Sequence, residues 1–133
     1  MTARPGPHAR LTGGLLLWYG VLGGAVAWAV HLIAAWSLDE LACAAKSERI
    51  AGVPLWQALS VAVFVPGVAT LGSLLVATLV LRRTGQARAA GAHDRALDRS
   101  RMLAVVGVWA NLLFLTIIAL GGVAVLVFPP CQG

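Results

Sequence analysis

Three long apolar runs, separated by short polar stretches, dominate the chain. They span about Leu11–Leu38, Leu55–Leu81 and Met102–Phe128. Each exceeds the roughly 20 residues a helix needs to cross about 30 Å of hydrocarbon. Barrel strands are shorter, about 10 residues, and alternate in polarity. The pattern therefore predicts an all-α bundle of three transmembrane helices, residues 1–133 forming a single membrane domain.

Local signals set the boundaries. Asp39-Glu40 closes the first run, and Gly52-Val53-Pro54 reads as a turn before the second. Arg82-Arg83 closes the second, leaving a basic loop over 82–101. The later half of that loop, from about Ala92, is able to extend the third helix, with Asp98 and Arg101 pairing at i,i+3. Pro129-Pro130 stops the third helix, because proline cannot continue one.

Each helical residue advances about 100°. Gly20, Gly24, Ala27, Ala35 and Leu38 then share a face with His31, and Trp18 and Trp36 fall opposite. The two tryptophans stand about 27 Å apart along the axis, as belt residues at two membrane surfaces would. The His31 face carries Gly20-x-x-x-Gly24, a spacing that lets helices approach closely. In the second span Ser60, Gly67 and Thr78 share a face, and Pro66 frees the carbonyl of Ala62. In the third, Asn111 lies on a stripe with Ala104, Gly107, Leu115, Ile118 and Gly122. His31 is expected to face protein and to bond the second span through Ser60 or Gln57. Asn111 is expected to be an inward polar group near the midplane.

Composition fits a membrane protein: 59% of residues are hydrophobic and 11% charged. Soluble domains run nearer 45–50% and 25%. The net charge of +5 does not point to nucleic acid. Six of the ten basic residues lie between Arg82 and Arg101, with no nucleic-acid motif beside them. A basic segment next to anionic membrane lipid explains them. Arg4 and Arg10 precede the first span, and Lys46 and Arg49 oppose Asp39, Glu40 and Glu48 on the other side. The positive-inside rule places the N-terminus in the cytoplasm and the C-terminus outside. The N-terminal run resembles a signal peptide with Ala27-Trp28-Ala29 as its cleavage site, but the apolar stretch continues past it, as a membrane span does.

Chemistry is sparse. Ser37 has no evident base, and the loops are short. A bis-His haem would need a second histidine level with His31, whereas His8 and His93 lie at the other end. No C-x-x-C is present. No catalytic residue, cofactor or metal ligand is assigned, and the chain reads as non-enzymatic. Cys43 and Cys131 both fall on the outer, oxidising side, where a Cys43–Cys131 disulfide is expected, with free thiols or an intermolecular bridge as the alternatives. His31, Asp39 and the cysteines carry the alternative of a metal- or haem-handling protein. A small self-associating membrane protein is a third reading.

The stretch "AWAVHLIAAWSLDELAC" and the ending "FPPCQG" resemble small multi-span membrane proteins that accompany bacterial haem–copper terminal oxidases. The matching residues are Trp28, His31, Leu32, Cys43, Pro130 and Cys131. They cover about a third of the chain. The resemblance implies an accessory or assembly subunit of an inner-membrane complex, partnered by other membrane subunits. It supplies no catalytic residue.

Overall fold

The computed structural model describes residues 7–46, 49–92 and 94–128. Three α-helices follow in chain order: α1 (Pro7–Ala45), α2 (Leu55–Ala89) and α3 (Arg95–Val127). Each touches both others, and each is long and apolar enough to cross a membrane. At 1.5 Å per residue they run about 50–58 Å, well beyond the hydrocarbon thickness. Their mean hydropathies rise along the chain, from 1.7 through 2.1 to 2.4.

The helices outrun the apolar patterns that predict them. α1 passes through Asp39-Glu40 to Ala45, so Cys43 sits in its last turn rather than beyond it. The segment 82–101 is mostly helical rather than a loop. α2 continues to Ala89 and α3 starts at Arg95. Charge ends a membrane span but does not end a helix, since arginine is a good helix former.

A Schellman motif ends α2. Gly91 takes a φ of +87°, its N–H donates to the Arg88 carbonyl (3.0 Å), and the Ala92 N–H donates to the Ala87 carbonyl (3.1 Å). Asp94 then caps α3, its carboxylate accepting from the Ala96 N–H at 3.4 Å. Asp98 pairs with Arg88 across the turn, at 3.5 Å, rather than with Arg101.

Between α1 and α2 the turn read at 52–54 is a small hairpin, β1 (Arg49–Ile50) against β2 (Val53–Pro54), antiparallel. Its two-residue turn, Ala51-Gly52, has φ of +50° and +82°. That is the backbone of a type I′ turn. The Arg49 guanidinium donates to the Gly52 carbonyl at 2.9 Å.

The buried stripe of α1 runs through Gly20, Gly24, Ala27, His31 and Ala42. On α3 it runs through Ala104, Gly107, Asn111, Ile118 and Gly122. On α2 it is Ala62, Pro66, Thr70, Ser73, Ala77 and Thr84. The Ser60–Gly67–Thr78 face is therefore not the buried one; it lies about 120° round the helix from it. Trp18, Trp36, Trp56 and Trp109 are all exposed on the outer surface. The first three lie near helix levels where an aromatic belt would place them, whereas Trp109 lies close to Asn111, nearer the middle of the bundle.

Candidate functional site

Small residues bring the three helices together near the middle of the bundle. A β-carbon on Gly107 would stand 2.6 Å from the Gly20 carbonyl oxygen. One on Gly20 would stand 3.3 Å from the Ala77 nitrogen. Glycine at 107 is required for this approach of α3 to α1, and glycine at 20 lets α2 come close without a tight contact.

Asn111 enters the space so made. Its Nδ2 donates to the Gly20 carbonyl (2.6 Å) and to the Gly107 carbonyl one turn back on its own helix (2.7 Å). Its Oδ1 accepts from the Gly24 N–H (2.9 Å). Gly20 C=O and Gly24 N–H are the i,i+4 partners of one α1 turn. The carboxamide thus bridges a backbone pair belonging to another helix. The amide orientation follows from its partners, because the flipped form would set NH₂ against an N–H and oxygen against two carbonyls. Ser73 of α2 completes the node. Its Oγ lies 2.7 Å from the Tyr19 carbonyl and 2.9 Å from Asn111 Oδ1. Having one proton, the hydroxyl donates to one of these at a time. Tyr19 adds a second α1–α2 tie, its hydroxyl donating to the Ala69 carbonyl at 2.8 Å.

A second polar group lies further along α1. His31 is 5% exposed, and its Nδ1 stands 2.9 Å from the Ala62 carbonyl. A carbonyl only accepts, so Nδ1 carries the proton. Ala62 is four residues before Pro66, whose nitrogen has no hydrogen to give. His31 thus supplies the donor that α2 lacks. On its other side, a β-carbon on Gly121 would stand 3.0 Å from Nε2.

Ser60 and Gln57 are not the partners of His31. The Ser60 hydroxyl donates to the Trp56 carbonyl of its own helix at 2.7 Å, and Gln57 is exposed. Thr78 is likewise occupied by its own helix, through the Leu74 carbonyl at 2.8 Å. The sequence reading missed Ser73 and Tyr19. A search for polar residues in register with Ala62 and Pro66, at spacings of three and four, would have found Ser73 and Thr70.

These groups hold helices together. Among the described residues, no buried side-chain nitrogen or oxygen lacks a hydrogen-bond partner, and no three His, Cys, Asp or Glu converge as metal ligands. His31 and Cys43 are twelve residues apart on one helix, about 18 Å along its axis, too far to share an ion. Cys131 lies outside the described residues. No protein family, curated protein or solved structure matches the chain.

Proposed function

We propose that the protein is a non-enzymatic accessory or assembly subunit of a bacterial inner-membrane complex. The partner implied by its resemblance to small oxidase-accompanying membrane proteins is a respiratory terminal oxidase. One observation carries the reading. Among the described residues, the buried polar side chains are all taken up internally: Asn111, Ser73 and His31 tie helix to helix, and Thr70 and Thr84 bond carbonyls of their own helix, while the outer surface is built of large apolar side chains such as Leu15, Met102 and Trp109. What such a bundle offers other molecules is surface. Purification from native membranes in mild detergent, followed by mass spectrometry of the intact complex, tests this. Oxidase subunits are expected in stoichiometric amount; a pure homo-oligomer would replace the proposal with self-association, and a Soret band or bound metal with cofactor handling.

In this reading the arginine-rich end of the bundle faces the cytoplasm and the C-terminus lies outside. A reporter fused after Arg83 is expected to signal cytoplasm, and one after Gly133 the outside. Cys43 and Cys131 form a disulfide in this arrangement. α1 and α3 run parallel, with Gly20 beside Gly107, Gly24 beside Asn111 and His31 beside Gly121. The far ends of the two helices therefore come level, and Cys43 is not a free thiol. Alkylation of oxidised protein is expected to label neither cysteine until reductant is added; labelling of both beforehand would refute the bridge.

A further inference from the structure

At the arginine-rich end a crevice opens between α1 and α3. Leu17, Trp18 and Val21 line one side and Arg99, Ser100 and Leu103 the other, enclosing about 190 Å³. Its two ends differ in chemistry. α1 and α3 run parallel, with Gly20 level with Gly107, so Arg99 stands level with about Thr12, near the start of the apolar run. Leu103, one turn deeper, faces the level of Leu17 and Val21. The mouth is thus cationic and hydroxylic, and the wall below it is aliphatic. Trp18 is 61% exposed beside it, where an indole favours the boundary between headgroups and hydrocarbon. The surrounding charge has the same sign: Arg82, Arg83, Arg88, Arg95, Arg99 and Arg101 outnumber Asp94 and Asp98. Asp98 is turned to Arg88 on the α2 side of α3, so that carboxylate pairs away from the crevice.

The geometry points to a binding site for an anionic glycerophospholipid. Its phosphate would sit on the Arg99 guanidinium and the Ser100 hydroxyl, and one acyl chain would lie along Leu17, Val21 and Leu103. Guanidinium pairs well with phosphate oxygens, and basic pockets between membrane helices suit anionic headgroups. A free phosphate would use the mouth but leave the aliphatic wall uncovered. The site needs only that the helices span a membrane, and it stands whichever complex the protein joins.

The test is native mass spectrometry of the purified full chain in detergent, titrated with phosphatidylglycerol or with phosphatidylcholine of the same acyl chains. The wild type is expected to retain one phosphatidylglycerol in preference to phosphatidylcholine. Arg99→Gln should weaken that adduct about fivefold, the usual worth of one juxtamembrane arginine. Leu103→Trp, which fills the wall without altering charge, should weaken it as well. Arg83→Gln removes the same charge from an exposed position on α2, outside the crevice, and should leave the adduct unchanged. If Leu103→Trp proves misfolded, Arg99→Gln against Arg83→Gln still decides the matter. Equal loss in those two variants would mean diffuse attraction and overturn the site, as would equal retention of the two lipids.

Discussion

Asn111 and His31 are both buried polar residues in apolar helices, and they solve different problems. Asn111 stands between two backbone groups that are able to bond each other without it. His31 serves a carbonyl that has no helical donor, because Pro66 took that donor away. The Asn111 amide makes bonds to α1, to α2 and to its own helix, whereas His31 makes one bond, to α2. The geometry around Asn111 therefore specifies both atoms of the amide, and the geometry around His31 specifies only a donor. Polarity buried in a membrane bundle can fix an arrangement of helices, or it can repair a defect in one of them.

Asn111→Asp tests that contrast most severely. It keeps the shape but turns oxygen toward the Gly20 and Gly107 carbonyls. An ionised or poorly partnered carboxyl at this depth is expected to cost about 3 kcal/mol, read as loss of unfolding free energy in mixed detergent micelles. Wild-type stability in this variant would show that the amide orientation does not matter. Gly107→Ala comes next, at roughly 2 kcal/mol, since its β-carbon meets backbone that has to move. A neutral result there would mean that α1 and α3 are not held at close range.

His31→Leu is expected to cost about 1–2 kcal/mol, by leaving the Ala62 carbonyl without a donor. The sharper experiment is the same substitution in a Pro66→Ala background. Alanine at 66 restores the helical N–H, so the cost of losing His31 should fall by about half or more. Equal costs in the two backgrounds would show that His31 is not there to serve the proline-freed carbonyl. Asp98→Asn is the smallest effect. It breaks an exposed ion pair with Arg88 and should change stability by no more than a few tenths of a kcal/mol.

The three helices were legible because apolar runs of this length have few other uses. The inner faces of α1 and α3 were legible because each carries one strongly polar residue among glycines and alanines, and burial is the only way to shelter it from lipid. The inner face of α2 was not. Ser60 and Thr78 are polar too, but a hydroxyl on a helix can satisfy itself on the carbonyl four residues back, as both do. Their positions therefore carry no directional information. Ser73 carries it, since its hydroxyl reaches α1 and α3, yet residue type alone does not distinguish it from Ser60; only its register with Ala62 and Pro66 does. The partner of His31 was half legible. Pro66 announces an unpaired carbonyl at Ala62, and a nearby donor on another helix is its natural complement. The hairpin at Arg49–Pro54 was hidden, because Ala51 occupies a left-handed position usually taken by asparagine or glycine.

The bridge at Gly20–Gly24 also bears on the order in which the chain is built. α1 is made first, and its turn is able to close on itself while it waits, carbonyl 20 to amide 24. α3 is made last, carrying Asn111 with a bond already available to the Gly107 carbonyl behind it. When the third helix docks, the Asn111 amide adds its own bonds to the Gly20 carbonyl and the Gly24 N–H. No backbone group of that turn has to stand bare in hydrocarbon at any stage. The joint is thus one that a lone first helix tolerates and a late third helix completes, so synthesis from N- to C-terminus meets no barrier of exposed polarity at the point where the finished bundle is most tightly tied.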